Sequence, residues 1–162
     1  ALMALDRFDE AVAQFEQAIE LGEHGGWTGD EAVWGHKAQE AIAICFLNLG
    51  RWPEAASHGI EALRSKPDRY ETRAVVAQAC FHWGDSLYES GDYSIAAEVY
   101  SNALRLAPDH APGFFALGNC YFRSGAVESS ILAYRKAIEL NPDYSEALNN
   151  LSIAEDAIRR AA

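Results

Sequence analysis

Two sets of residues in this chain have types and spacings that could do chemistry, one reactive and one adhesive. The reactive set is Cys45, Cys80 and Cys120 with His24, His36, His58, His82 and His110. Zinc and related metals need thiolates or imidazoles a few residues apart on a turn or one helix face. No CxxC, HxxxH or HExxH register occurs here. The glycine-rich run Gly22 to Gly29 lacks the lysine and the preceding strand of a phosphate-binding loop. The sequence therefore predicts no catalytic residue, no metal and no cofactor. Its cysteines read as small core residues in a reducing compartment. The adhesive set is two triplets, Phe81, Asp85, Tyr88 and Phe115, Asn119, Phe122. Each is spaced i, i+4, i+7, so each lies along one helix face. Aromatic rings displayed beside a carboxylate or an amide suit contact with a partner rather than reaction with a substrate.

The elements that must carry those faces are helices. Of the 162 residues 49% are hydrophobic, β-branched runs are nearly absent, and Ala, Leu and Glu, all good helix formers, are abundant. No apolar stretch approaches the roughly 20 residues needed to cross a bilayer. No Ser/Gly/Pro-rich linker divides the chain, so one domain is expected. A pattern recurs along it, clearest in Ala111 to Tyr144, where Phe114, Leu117, Gly118, Tyr121, Tyr134, Ala137 and Pro142 are landmarks. Trp83, Gly84, Leu87, Ala96, Tyr100, Ala103 and Pro108 fall in phase one unit earlier, and Ile42, Ala43, Phe46, Ala55, Ala62 and Pro67 one before that. The earliest matches are Leu2, Ala11, Phe15 and Ala18. Small residues let two helices approach closely while large ones fill the gaps. Proline stops the second helix of each pair, and Gly50, Gly91 and Gly125 suit the left-handed turn within it.

This 34-residue ruler resembles the tetratricopeptide repeat (TPR) family over nearly the whole chain. The resemblance implies an all-α, right-handed superhelical solenoid of antiparallel helix pairs. The expected parts are a truncated repeat at 1–25, repeats at 26–69, 70–110 and 111–144, and a capping helix at 145–162. The landmark alanines Ala18, Ala62, Ala103 and Ala137 are unevenly spaced. Seven extra residues, Tyr70 to Val76, extend one leading helix to Tyr70–Glu89. About ten more precede the previous unit, where Thr28-Gly29-Asp30-Glu31 has the form of a capping box, giving a helix from near Gly29 to Leu49. Trp34 and Tyr70 would lie on these overhangs, packing on each other and on the gap left by Gly59.

In the family, the face carrying the two triplets lines a concave groove for peptides, and the resemblance implies the same here. The expected groove residues are Phe81, Asp85, Tyr88, Phe115, Asn119, Phe122, Arg123, Asn149 and Asn150, with Lys37, Glu40, Ile44 and Asn48 extending it. Co-chaperones of the family that grip a carboxyl tail use two asparagines plus lysines and an arginine. Asn119 and Asn150 match the asparagines, but Phe115 replaces the first lysine, so that grip is not expected. The net charge is −11, of which residues 1–35 carry −7. That makes nucleic acid and an anionic membrane surface poor partners and favours basic ones. The reading is a non-enzymatic protein-interaction scaffold whose partner is an apolar segment with basic residues, in the cytoplasm. Its alternatives are the recognition arm of a larger enzyme and a self-assembling scaffold. The apolar stripe of the helix Arg7 to Leu21 faces a partner of only about five residues. Upstream chain or a second copy is expected to cover that 1–21 edge.

Overall fold

The computed structural model describes the backbone of residues 2–24 and 31–161, and the side chains of 7–20 and 35–161. Among the described residues eight helices make up the regular structure: α1 (Leu2–His24), α2 (Glu31–Asn48), α3 (Trp52–Ser65), α4 (Tyr70–Ser90), α5 (Tyr93–Leu106), α6 (Ala111–Arg123), α7 (Val127–Leu140) and α8 (Ser145–Ala161). The described residues contain no strand. The two elongated leading helices are present: α2 ends one residue short of Leu49, and α4 runs one residue past Glu89. The capping box at 28–31 and the Trp34 side chain lie outside the described residues. The chain forms two compact units, one ending at Ala79 and one beginning at Cys80.

In the first unit, α1 is one continuous helix. The break expected before Arg7 does not form, and the helix runs through it. Val12 is buried and Phe8, Ala11 and Phe15 are half-buried, whereas the landmark Ala18 is exposed. α2 and α3 enclose a core of Ile42, Ala43, Phe46, Ala55 and Ala62. The gap at Gly59 is filled by Val76, not by Tyr70: a Cβ on Gly59 would lie 2.4 Å from Val76 Cγ2, and Tyr70 is 80% exposed. The helix extension is thus used for packing one and a half turns inside its tip. The departure at Gln39 has a partner as well, since its Oε1 sits 2.6 Å from His58 Nδ1. Glu40 is buried and spent, accepting from Thr72 Oγ1 at 2.6 Å and from the Arg69 guanidinium at 2.9 Å. It ties α2 to α4 and faces no groove.

The second unit comprises the later half of α4 with α5 to α8. Its helix pairs close where the repeat places small residues against rings. A Cβ on Gly84 would lie 2.8 Å from the Tyr100 ring, and one on Gly118 2.5 Å from the Tyr134 ring. Ala96, Ala97, Tyr100, Leu104, Leu117, Cys120 and Ala133 form the core. The turn glycines Gly91 and Gly125 take φ of 91° and 85°, where a side chain would clash with the carbonyl that follows.

Candidate functional site

Tyr134 is the floor on which the site is built. Its ring is 1% exposed because α7 crosses α6 at Gly118, and this points its hydroxyl between α6 and α8. There it donates to Asn119 Oδ1 at 2.8 Å. Asn150 Nδ2, from α8, donates to the same oxygen at 2.9 Å. With Oδ1 saturated, Asn119 keeps its amide hydrogens for a ligand, and Asn150 keeps its carbonyl oxygen. Turning both amides over exchanges the roles and leaves the pair complementary. Around these amides lies a cleft of about 130 Å³, walled by Tyr88 from α4, Phe122 and Arg123 from α6, and Ile153 from α8.

Five of the nine residues expected from sequence line this cleft: Tyr88, Asn119, Phe122, Arg123 and Asn150. The other four lie elsewhere. Phe81 stacks on His110 with ring centroids 4.2 Å apart, packing against the start of α6. Asp85 accepts the Tyr100 hydroxyl, and burial, with that hydrogen bond, holds the phenol well above its ordinary pKa. Phe115 is wedged between Tyr134 and Tyr144, at 6.0 and 5.0 Å. Asn149 is exposed and stands outside the cleft lining. Sequence reasoning missed Tyr134, whose landmark role concealed the reach of its hydroxyl, and Ile153, which is 49% exposed. Ile153 lies three residues beyond Asn150, and that spacing was the available signal.

A larger open hollow of about 520 Å³ lies along α5, against Tyr121, Ser124 and Ala126. Two of its hydroxyls are already used, since Ser101 donates to the Ala97 carbonyl and Ser124 to that of Tyr121. The smaller cleft, with unspent amides beside apolar walls, is the better candidate site. The buried cysteines are poor nucleophiles: burial pushes the Cys80 thiol up to about 11 and, with the Asp85 charge, the Cys120 thiol up to about 12, so the thiolate is scarce at neutral pH.

His110 starts α6 by accepting the Gly113 amide on Nδ1 at 3.0 Å, which requires a neutral ring. Burial holds its pKa below the ordinary histidine value, outweighing the opposing pull of Asp85. The unfolded chain therefore takes up the proton first, near pH 6.5. Stability is full above that value and declines as pH falls towards the lower folded pKa. His110→Asn keeps a capping acceptor that does not titrate. It is expected to flatten the loss of urea midpoint between about pH 7 and 5; an unchanged slope would remove His110 from the account.

Comparison with known proteins bears on both fold and site. The protein-family model for the tetratricopeptide repeat matches residues 1–70 and 81–145. The photosystem I assembly protein Ycf3 of Synechococcus sp. is 32% identical over 93 residues, covering 56% of this chain and 54% of that protein. Protein arginine N-methyltransferase 9 of Homo sapiens is 27% identical over 105 residues, covering 64% of this chain and 12% of the enzyme. The C-terminal TPR-containing domain of a Plasmodium falciparum FK506-binding protein superposes with a TM-score of 0.55 at 17% identity, over 84% of this chain and 96% of that one. The chain thus spans about half or less of the length of these two sequence relatives. No helix among the described residues is long and apolar enough to cross a membrane.

Proposed function

The chain belongs to the tetratricopeptide repeat family, whose fold supports protein–protein adaptors in general, and from that premise we propose that its second unit binds an extended peptide segment in the cleft at Asn119. The observation that carries this reading is the complementary amide pair. One asparagine offers a donor and the other an acceptor, which matches the carbonyl and N–H of a peptide backbone. The walls of Tyr88, Phe122 and Ile153 supply the apolar contact. At about 130 Å³, the space suits one aliphatic side chain, since it equals about four waters at roughly 30 Å³ each.

An apolar anchor is kept from the sequence-based expectation, and the basic requirement is dropped. That requirement rests on the acidic charge of the chain, whereas the charged group lining the cleft is Arg123. A second reading, the recognition arm of a larger enzyme, is favoured by the partial match to a methyltransferase. It uses the same cleft, with a substrate as the bound segment.

Fluorescence anisotropy with labelled nonapeptides, acetylated and amidated, with Leu or Phe at the centre and mixed flanks, tests the proposal. Asn119→Ala and Asn150→Ala are each expected to weaken the best peptide by about tenfold. If no peptide in the set binds, or if binding ignores both substitutions, the reading fails.

A further inference from the structure

Resting on that reading of the cleft, we propose that Arg123 makes the bound segment an acidic one: it carries an aspartate or glutamate side chain about two residues from the apolar anchor. Arg123 is the cleft's only charged wall residue, and it is held in place without being neutralised. Its guanidinium lies 4.7 Å over the Tyr93 ring and donates to the Tyr93 hydroxyl at 2.5 Å. Tyr93 in turn meets Tyr88 edge-on at 5.2 Å. Arg51, Arg64, Arg69 and Arg135 all meet a carboxylate within 2.9 Å. Arg123 meets none among the described residues.

A guanidinium has five N–H donors in one plane. Stacking occupies its face and one donor goes to Tyr93, so the remaining edge is set for a planar acceptor, the geometry in which carboxylates bind arginine. Tyr93 acts as a positioning residue, fixing that edge rather than touching the ligand. The surrounding unit is acidic, with −5 over residues 80–162. That field opposes an acidic ligand only weakly, because salt screens it over about 8 Å, whereas the Arg123 pair forms at contact distance.

The spacing follows from geometry. Arg123 lies one turn beyond Asn119, about 6 Å along the helix. Two residues of extended peptide span about the same distance. A side-chain carboxylate fits better than a chain terminus. A terminal oxyanion beside the amide pair would face the pair's free acceptor oxygen, which needs an N–H. This is one guanidinium aimed by a ring, not the lysine-and-arginine grip that the sequence lacks.

The test uses matched amidated nonapeptides with a central Leu and Glu, Gln or Lys two residues to either side. A free-acid peptide lacking side-chain carboxylates is added. The Glu peptide is expected to bind about tenfold tighter than its Gln counterpart, with the Lys peptide weakest. Arg123→Gln should bring the Glu-to-Gln ratio close to one, and Tyr93→Ala should reduce it while Tyr93→Phe retains most of it. Arg105→Gln, outside the cleft, should leave the ratio unchanged. If peptides bind with no preference for Glu, or the free-acid peptide alone is favoured, the acidic inference is overturned and the cleft reading stands. If no peptide binds at all, both fall.

Discussion

Tyr134→Ala is expected to lower the stability of the second unit by about 3–5 kcal/mol, the range for truncating a buried aromatic ring. The ring is 1% exposed and fills the space where α6 and α7 cross. Its atoms lie 2.5, 2.6 and 3.1 Å from where a Cβ on Gly118 would be, so neighbours cannot close in without shifting a helix. Tyr134→Phe separates the ring from its hydroxyl. It keeps the packing and removes one donor to Asn119 Oδ1, which Asn150 still satisfies, so the cost should be only about 1 kcal/mol. Urea unfolding of both variants measures this. Equal losses would mean that the hydroxyl network, rather than the packed ring, holds α6 to α7.

Gly118→Ala carries the second large effect. The added methyl would overlap the Tyr134 ring at distances that real Cβ atoms do not adopt. The helices must separate, or the ring must leave its rotamer, at a cost of about 1–3 kcal/mol. Because the strain comes from one neighbour, it should vanish when that neighbour is small. In the Tyr134→Ala background, Gly118→Ala is expected to be neutral or stabilising, since the methyl partly fills the cavity and alanine is the better helix former. A double-mutant cycle reads the coupling directly. Additive losses would show that Gly118 is needed for backbone reasons and not for the approach of the ring.

The repeat landmarks made most of the fold legible, because the same steric demand recurs at each crossing. Gly118 with Tyr134 and Gly84 with Tyr100 meet as small-against-large pairs, and the turn glycines adopt the left-handed backbone. The reading erred where the pattern was incomplete. At the start of the chain, Ala11, Phe15 and Ala18 read as the second helix of a broken pair, but α1 is one continuous helix. In the extension of α4, the seven extra residues showed that the helix lengthens, but not which of them would plug Gly59; Val76 does so. At the site, spacing found the face but not its division. Phe81 and Phe115 sit where the next element or turn covers them, whereas Phe122, nearer the end of α6, borders the cleft. Periodicity along one helix carries no information about what its neighbours cover. Nor does it show when a core tyrosine lends its hydroxyl to the surface.

The cleft floored by Tyr134 is proposed to hold a peptide segment. Amide shift mapping of the nitrogen-15-labelled chain, titrated with the tightest nonapeptide, tests it most directly. The largest changes are expected at the Tyr88, Phe122, Arg123 and Ile153 backbone amides and at the side-chain amides of Asn119 and Asn150. Changes centred instead on Ser94, Glu98 and Ser101 along the outer hollow, or spread without focus, would contradict it.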